Sequence, residues 1–337
     1  MVALPSFAKI NLGLKIGPKR PDRFHELRTI YQTVAIHDVI QVEVQRGIGV
    51  EIRCRDGRVP LDNSNTCHKI ADRVMDATKS TGRVVVTIDK RLPVQGGVGA
   101  ASSNAVVTML ALERALGVRL GPADKLRIAA EVGSDLPLFL IGGTVLGVGR
   151  GEEVFPLPDL PPMHVVLVTP QVGVSTPEAF ARWDELNRLE AALTGATDTG
   201  TMTEFSRRVS AWLSRNFPQT SPSAGPERKS ASGVPAVSGN RAETPLLDLV
   251  RAGIENDFER VVFPEHPDLR EVKELLLREG AGYAALSGSG SSLYGLFASE
   301  AEAQTAAERM IAAGHKAIAT RTLSRAEYWA ELAAGTP

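Results

Sequence analysis

The stretch PVQGGVGAASSNAVVTMLALERAL, at residues 93–116, passes from a glycine-rich segment into a run whose apolar residues recur at helical spacing. This spacing predicts a helix over about residues 103–116, with its apolar side facing a core. Ser102, Ser103 and Asn104 stand where the N-cap of such a helix is expected. The stretch therefore predicts a glycine loop that ends at the start of a helix.

A loop of this kind is a candidate phosphate site. The first N–H groups of a helix lack partners inside the helix, and the helix dipole favours a negative charge beside them. The loop lacks the Gly-Lys-Ser/Thr of a Walker A motif and the third glycine of the dinucleotide fingerprint. A plain capped turn remains an alternative. If the loop binds phosphate, its candidate residues are Pro93, Val94, Gln95, Gly96, Gly97, Val98, Gly99, Ala100, Ala101, Ser102, Ser103 and Asn104.

The stretch PSFAKINLGLKI, at residues 5–16, has the period-two pattern of a β-strand, because apolar residues alternate from Ala8 to Ile16. The other face of the predicted strand carries Lys9 and Asn11. An edge strand with a solvated face would give this pattern. A strand that lines a catalytic cleft would give it too.

Two further stretches combine small or acidic residues with strongly apolar neighbours. In GSDLPLFLIGG, residues 133–143, Asp135 directly precedes the apolar run. It either caps a helix or serves as a general base. In LSGSGSSLYGLF, residues 286–297, small residues interrupt a strand-like context. This pattern predicts either a tight hairpin or a second backbone surface against a phosphate or a substrate.

An aromatic residue and a histidine stand together in RPDRFHELRTIYQ, residues 20–32. A single histidine is more often structural than functional. Phe24 and His25 in a loop could also stack on a planar base and form hydrogen bonds with it.

The chain has 337 residues, of which 43% are apolar and 23% charged, and this globular composition predicts two domains or one bilobal unit. The net charge of −1 provides no basic field that would attract nucleic acid or an anionic membrane. Cys54 and Cys67 are too few for a disulfide framework and lack the spacing of metal ligands. With no signal-peptide pattern and no apolar run long enough to span a bilayer, we expect a cytoplasmic protein.

Strand-like and helical segments follow one another without the regular alternation of βαβ units, which favours an α+β fold over a doubly wound sheet. The last predicted helix spans about residues 301–313. In residues 219–245, 18 of 27 residues are Ser, Pro, Gly, Ala or Thr. Such a segment buries too little apolar surface to offset its ordering entropy, so we expect a flexible insertion there.

These motifs, in this order, resemble those of the GHMP kinases, the superfamily of galactokinase, homoserine kinase and mevalonate kinase. Within it, AKINLGLKI followed by RPDRFHEL is most similar to the family of 4-diphosphocytidyl-2-C-methyl-D-erythritol kinases, which typically show AKINL and then Arg-x-Asp-Gly-Tyr-His-Glu-Leu. The stretch NDFERVVFPEHP, residues 256–267, also resembles a characteristic family segment. The resemblance covers most of the chain, from residue 8 to about residue 297, except for the insertion.

The sequence departs from the family pattern at several positions. The family loop usually reads Gly-Leu-Gly-Gly-Gly-Ser-Ser-Asn, whereas Ala100 and Ala101 stand at its later glycines. A positive φ at either alanine would strain the loop, but related kinases place serines there, near the helix start. Arg23 replaces a usual glycine, which changes the expected turn. Phe24 replaces a usual tyrosine, which keeps the stacking surface and removes a hydroxyl contact.

The resemblance implies a two-lobed α+β GHMP kinase fold with the active site in the cleft between the lobes. It implies an ATP-binding domain over residues 1–158 and a second domain, carrying the insertion, over residues 159–337. The implied reaction is ATP-dependent phosphorylation of the 2-hydroxyl of 4-diphosphocytidyl-2-C-methyl-D-erythritol in the non-mevalonate route to isoprenoid precursors. The implied cofactors are ATP and Mg²⁺, and the implied state is a monomer or weak homodimer that binds a small-molecule substrate and no nucleic acid.

The resemblance also implies roles for individual side chains. Asp135 would accept the proton of the substrate hydroxyl, and Lys9 would lie beside it and stabilise charge on the attacking oxygen. The glycine loop would hold the phosphates, with Mg²⁺ bound through Ser102 or Ser103. Asn11, which lies on the same strand face as Lys9, would contact the substrate. Phe24 and Phe180 would lie on the two sides of the cytosine, and His25 would bind its polar edge.

Two other functions remain open at this point. One is a different small-molecule GHMP kinase that acts on homoserine or mevalonate, although neither substrate has a base for Phe24 and His25 to bind. The other is a non-catalytic nucleotide-binding protein with the same fold, which the altered loop and the insertion would allow. RNA binding is disfavoured by the near-zero net charge.

Overall fold

The computed structural model describes residues 1–94, 96–194, 200–216, 249–250 and 254–335. Gln95 of the predicted phosphate loop and the predicted flexible insertion at residues 219–245 lie outside the described residues. Within those ranges, no helix combines the length and the apolar character that crossing a bilayer requires.

The described chain mixes strands and helices, which confirms the predicted α+β class. The strands are β1 (Val2–Lys19), β2 (His25–Gln45), β3 (Val50–Cys54), β4 (Arg83–Asp89), β5 (Thr144–Val148), β6 (Glu153–Pro156), β7 (His164–Val168), β8 (Tyr283–Leu286), β9 (Leu293–Phe297) and β10 (Ala317–Arg321). The α-helices are α1 (Thr66–Thr78), α2 (Ala100–Leu116), α3 (Pro122–Val132), α4 (Thr176–Thr194), α5 (Gly200–Asn216), α6 (Glu259–Glu265), α7 (Pro267–Arg278), α8 (Glu300–Ala312) and α9 (Arg325–Ala334). A short 3-10 helix spans Pro137–Leu140.

The first sheet is built around the long strand β2. One edge of β2 pairs antiparallel with β1 along most of its length. The other edge pairs with β5 near the start of β2 and with β4 near its end, and the sheet continues to β6 and β3. Helices α1 and α2 pack together, and their apolar residues share one core with this sheet.

The second sheet has the order β10-β7-β9-β8, with each neighbouring pair antiparallel. Helices α7 and α8 lie against it and supply buried residues such as Leu269, Leu276 and Met310 to its core. Because α7 is amphipathic, one of its faces enters this core and the other carries charged residues.

Strand β1 lies between the two sheets, and both of its faces are buried. Ile10 and Leu12 belong to a core that also contains residues of β7 and β9, whereas Leu14 and Ile16 belong to the core of the second sheet. The Leu14 N–H donates to the Glu255 carbonyl at 3.0 Å, which ties β1 to the chain before α6. The alternative of a solvated edge strand is therefore wrong.

The predicted helix over residues 301–313 is confirmed as α8, but it is not the last element, since β10 and α9 follow it. On α9, the buried Tyr328 hydroxyl donates to the Phe139 carbonyl of the 3-10 helix at 2.7 Å. Tyr328 and Leu332 pack in the core of the first sheet. The end of the chain therefore returns to the first lobe, and the boundary between residues 158 and 159 stays a prediction.

Arg23 occupies the turn between β1 and β2 with a left-handed backbone, at φ +69°. The turn is closed by a hydrogen bond from the Arg23 N–H to the Arg20 carbonyl at 3.0 Å and one from the Arg20 N–H to the Phe24 carbonyl at 2.7 Å. The turn thus keeps a conformation suited to glycine although it carries arginine, which strains the backbone at this position.

We predict that Arg23→Gly increases the free energy of unfolding by about 1 kcal/mol, because relief of the left-handed strain exceeds the added entropy of the unfolded chain. Urea denaturation measures the change. Arg55→Gly is the matched control, since Arg55 is exposed and is not among the residues with positive φ. An equal change in the free energy of unfolding of both variants would show that the backbone at Arg23 is not strained.

Candidate active site

Lys9 extends from β1 into the space between the sheets and is 3% exposed. Its backbone N–H donates to the Val98 carbonyl of the glycine loop at 2.9 Å. The same residue therefore ties β1 to the loop through its backbone and carries a buried cation on its side chain.

Asp135 provides the opposite charge. Its Oδ2 lies 3.4 Å from Lys9 Nζ, and 35% of its side chain is exposed, so the carboxylate is open on one side. Asp135 belongs to the turn before the 3-10 helix, whose N-cap is Leu136 and has no side-chain cap hydrogen bond. The helix-cap alternative is therefore wrong, and the structure brings Lys9 and Asp135 together as the resemblance implied.

Asn11 orients the lysine. Lys9 Nζ donates to Asn11 Oδ1 at 2.6 Å, and Asn11 Nδ2 donates to the Thr29 hydroxyl at 2.8 Å. Asn11 lines the larger cavity described below but is almost fully buried. Its predicted contact with substrate stays a prediction, and in the structure its side chain positions Lys9.

Tyr31 is a neighbour of this pair that the sequence did not single out. Its hydroxyl donates to Asp135 Oδ1 at 3.2 Å, and Lys9 Nζ lies 5.5 Å from the centre of its ring. Burial raises the pKa of Tyr31 well above its ordinary value, and the negative charge of Asp135 acts in the same direction. Since Tyr31 pairs with Asn11 across β1 and β2, the register of the two strands would have revealed it.

The glycine loop requires glycine at two positions. Gly97 and Gly99 have φ of +73° and +69°. A Cβ at Gly97 would lie 2.2 Å from the Ser287 carbonyl oxygen, and one at Gly99 would lie 2.9 Å from Lys9 Cγ. Ala100 and Ala101 are the first residues of α2 and have no positive φ, so the alanine substitutions do not strain the loop.

The predicted N-cap is wrong. The N-cap of α2 is Gly99, and no side chain caps the helix. The buried Ser103 hydroxyl lies 2.8 Å from the Ser6 hydroxyl, which is also 2.7 Å from Asn104 Oδ1. Asn104 Nδ2 donates to the buried Asp38 carboxylate at 3.0 Å. Ser103 and Asn104 thus join α2 to β1 and β2, and Ser102 remains partly exposed in the first turn of α2.

The late SGSG stretch connects β8 to β9 as a hairpin, and it also touches the glycine loop. The Ser287 hydroxyl donates to the Gly97 carbonyl at 3.1 Å, and the Ser292 N–H donates to the Gly96 carbonyl at 3.2 Å. Asn256 Nδ2 holds the hairpin loop by donating to the Leu286 and Gly288 carbonyls, each at 2.8 Å. The hairpin alternative is therefore confirmed, and the alternative of a backbone surface against a phosphate or a substrate stays a prediction.

Among the cavities that the glycine loop lines, two share Gly97 and Gly99 and meet there. The larger, of about 620 Å³, contains the Lys9–Asp135 pair and the predicted substrate residues Asn11, Phe24, His25 and Phe180. The smaller, of about 340 Å³, is lined by the loop, by Val59 and Asn65 between β3 and α1, and by Cys67 in the first turn of α1.

The aromatic residues of the larger cavity form a wall opposite the ion pair. The rings of His25 and Phe180 are stacked within 5° of parallel, with centroids 4.9 Å apart. His25 Nε2 lies 2.7 Å from Asp184 Oδ1. Phe24 is 51% exposed, and Arg150 Cζ lies over its ring, 4.8 Å from the centre of the Phe24 ring. The three predicted residues share one cavity, with His25 directly against Phe180.

Comparison with known proteins identifies the family. A model of the GHMP kinases N terminal domain matches residues 65–143, and a model of the GHMP kinases C terminal matches residues 242–316. A 4-diphosphocytidyl-2-C-methyl-D-erythritol kinase of Solibacter usitatus is 38% identical over 295 residues, which cover 87% of this chain and 80% of the relative. The chain belongs to this family of GHMP kinases.

Two further comparisons agree. The kinase of the same name from Acaryochloris marina is 32% identical over 309 residues, covering 90% of this chain and 89% of that protein. The crystal structure of a 4-(cytidine 5'-diphospho)-2C-methyl-D-erythritol kinase superposes with a TM-score of 0.69 at 26% identity, covering 95% of this chain and 98% of that one. The GHMP kinase fold and the resemblance drawn from the sequence are thereby confirmed, and the kinase family implies ATP as a substrate.

We predict that Gly97→Ala lowers the free energy of unfolding by about 2 kcal/mol and weakens ADP binding about tenfold, because the added Cβ meets the Ser287 carbonyl and moves the loop. Denaturation and calorimetric titration with ADP measure the two effects. Gly173→Ala is the matched control, since a Cβ there meets no atom within 4 Å. Unchanged ADP affinity in Gly97→Ala would show that the loop does not hold phosphates.

Proposed function

We propose that the protein transfers the γ-phosphoryl group of ATP to the 2-hydroxyl of 4-diphosphocytidyl-2-C-methyl-D-erythritol. The observation that carries this proposal is the pair of the buried Lys9 and the partly exposed Asp135, beside the glycine loop at which the two cavities meet. Phosphoryl transfer requires a donor and an acceptor that approach from two sides with a base at the acceptor oxygen, and the two cavities provide these two sides.

The smaller cavity would hold the nucleotide. Its loop wall ends at the start of α2, where the first N–H groups of a helix of 17 residues lack partners within the helix. These groups and the helix dipole would bind the phosphates, and Gly99 allows them to approach closely. The apolar side chains of Val59 and Ile88 would contact the adenine.

Mg²⁺ is compatible with this arrangement. Within the described ranges, no group of three or more His, Cys, Asp and Glu side chains is placed to hold a metal ion. Mg²⁺ commonly keeps several waters and binds through phosphates with one or two protein oxygens, so a dedicated cluster is not required. Of the two candidate serines, Ser103 is buried against Ser6, whereas Ser102 lines the smaller cavity. Bound at Ser102, Mg²⁺ would neutralise charge on the phosphates.

The chemical step would use Asp135 and Lys9. Asp135 Oδ2 accepts the proton of the acceptor hydroxyl while that oxygen forms a bond to the γ-phosphorus and the bond to the bridging β–γ oxygen breaks. Lys9 Nζ, 3.4 Å from Oδ2, stabilises the negative charge that develops on the attacking oxygen. Since the exposed side of Asp135 faces the larger cavity, the acceptor would approach from there.

The larger cavity suits an acceptor that carries a diphosphate. Its wall contains four cationic side chains, those of Lys9, Lys19, Arg23 and Arg150. Arg150 also forms an ion pair with Glu152 at 3.0 Å, which fixes its guanidinium over Phe24. A cavity of about 620 Å³ lies within the ordinary range for a ligand of nucleotide size.

The aromatic wall suits cytosine. Rings stacked face to face are separated by about 3.5 Å, so centroids 4.9 Å apart mean that His25 is offset on Phe180 and covers only part of that ring. A base beside His25, in its plane, would stack on the remainder of Phe180, with Phe24 on the other side. The Asp184 carboxylate accepts, so His25 Nε2 carries a proton in this contact. A ring that carries only this proton would present Nδ1 as an acceptor, which matches the amino group of cytosine.

ADP release from Mg-ATP tests the proposal, with 4-diphosphocytidyl-2-C-methyl-D-erythritol, homoserine and mevalonate as separate acceptors. We expect turnover only with the first. Asp135→Asn should lower kcat by about 10²–10⁴ without loss of folding, because the general base is removed. Asp76→Asn, on the exposed side of α1, is the matched control and should retain full activity.

Turnover with homoserine or mevalonate instead would replace the proposed acceptor. ATP binding without turnover on any acceptor would support a non-catalytic member of the family. Near-normal turnover by Asp135→Asn would remove Asp135 from the role of base.

A further inference from the structure

Tyr31 lies at the centre of the ion-pair site without a role in the step described above. It is on β2, opposite Asn11 of β1, and it is 2% exposed. Paired residues of antiparallel strands project to the same side of the sheet, so Tyr31 and Asn11 approach Lys9 from neighbouring strands.

The two oxygens of Asp135 have different partners. The Tyr31 hydroxyl donates to Oδ1 at 3.2 Å, while Lys9 Nζ lies 3.4 Å from Oδ2. Because a carboxylate rotates about a single bond, two separate partners on its two oxygens fix its orientation. Oδ2 then lies beside the ammonium group of Lys9, which would stabilise charge on an attacking oxygen, so we assign Oδ2 to the acceptor hydroxyl.

Two glycines make room for the tyrosine. A Cβ at Gly147 would lie 2.6 Å from Tyr31 Cε2, and a Cβ at Gly151 would lie 2.5 Å from the Tyr31 hydroxyl oxygen. Gly147 belongs to β5, and Gly151 belongs to the turn that joins β5 to β6. One side of the space that holds the ring and its hydroxyl is therefore formed by glycine backbone without side chains.

We propose that Tyr31 is a positioning residue for phosphoryl transfer: its hydroxyl holds Asp135 Oδ1, so that Oδ2 faces the acceptor, and its ring supports the ammonium group of Lys9. The inference deepens the proposed function and rests on the role of Asp135 as general base. Tyr31 acts through Asp135 and Lys9 and has no assigned contact with substrate.

The phenol is suited to a fixed donor role because it does not ionise in the working pH range. Burial raises its pKa, and the charges of Asp135 and Glu152 add to this effect. Besides Lys9 and Tyr31, the charged or titratable groups on the wall that Asp135 faces are Lys19, Arg23, His25, Arg150 and Asp184. A hydrogen bond from a neutral phenol favours the ionised carboxylate, which is the form that accepts a proton.

Tyr31→Phe tests the inference because it removes the hydroxyl and keeps the ring beside Lys9. We expect kcat to fall about threefold to tenfold, as for loss of one hydrogen bond of ordinary strength, with KM values for both substrates nearly unchanged. The acidic limb of the kcat/KM profile should move to higher pH, because the ionised carboxylate loses a donor. Tyr283→Phe is the matched control, since the Tyr283 hydroxyl has no hydrogen bond within the described ranges.

A double-mutant cycle separates positioning from packing. In the Asp135→Asn background, adding Tyr31→Phe should change the residual kcat by less than about twofold, because the group that it positions is gone. Equal fold losses in both backgrounds, or a kcat and pH profile like those of Tyr283→Phe, would overturn the inference.

A titration without acceptor keeps this test independent of the proposed function. Infrared difference spectra between chains with and without Asp135→Asn isolate the carboxylate band of Asp135. Its ionisation midpoint should rise by about half a pH unit or more in Tyr31→Phe. An unchanged midpoint would overturn the inference even if the acceptor were correct, and a shifted midpoint would support it even if the acceptor were wrong.

Discussion

The ion pair of the buried Lys9 and the partly exposed Asp135 is the interaction on which the rest of the site depends. A lysine that is 3% exposed is costly unless its charge is matched, and here the carboxylate, the Asn11 amide and the Tyr31 ring all face its ammonium group. The lysine can occupy this place because both faces of β1 are buried between the two sheets. Its position in turn requires a glycine at residue 99, since a side chain there would meet the lysine stem.

Flexible glycine segments become fixed surfaces because buried polar side chains hold their ends. Just before the glycine loop, the Asp38 carboxylate accepts hydrogen bonds from the N–H groups of Arg91 and Leu92, each at 2.7 Å, and forms an ion pair with Lys90. At the loop between β8 and β9, Asn256 Nδ2 donates hydrogen bonds to the Leu286 and Gly288 carbonyls. The two loops then contact each other directly, so the two cavities share one wall.

Several features followed from local sequence pattern. The period-two alternation predicted β1, and helical spacing predicted α2. The last helix was missed although Ser324 and Glu327 form a capping box, a signal that can be read from the sequence. Short helices with weak amphipathic patterns are the ones that such a signal should help to find.

Other features depend on contacts between distant parts of the chain. Ser103 and Asn104 were predicted as N-caps, but Ser6 and Asp38 bind their side chains, and local pattern carries no information about those partners. Tyr31 lies more than 100 residues from Asp135 in the chain, so only the strand register and the folded position of the turn bring them together. The site is therefore predictable as a set of motifs, while the hydrogen bonds that orient its groups require the structure.

The most direct test of the account is a crystal structure of the protein with a non-hydrolysable ATP analogue and 4-diphosphocytidyl-2-C-methyl-D-erythritol. We expect the phosphates to lie on the backbone of Gly97 to Ser102, and the 2-hydroxyl to lie within hydrogen-bond distance of Asp135 Oδ2, in line with the γ-phosphorus. An acceptor bound away from the Lys9–Asp135 pair, or phosphates that do not contact the loop, would contradict it.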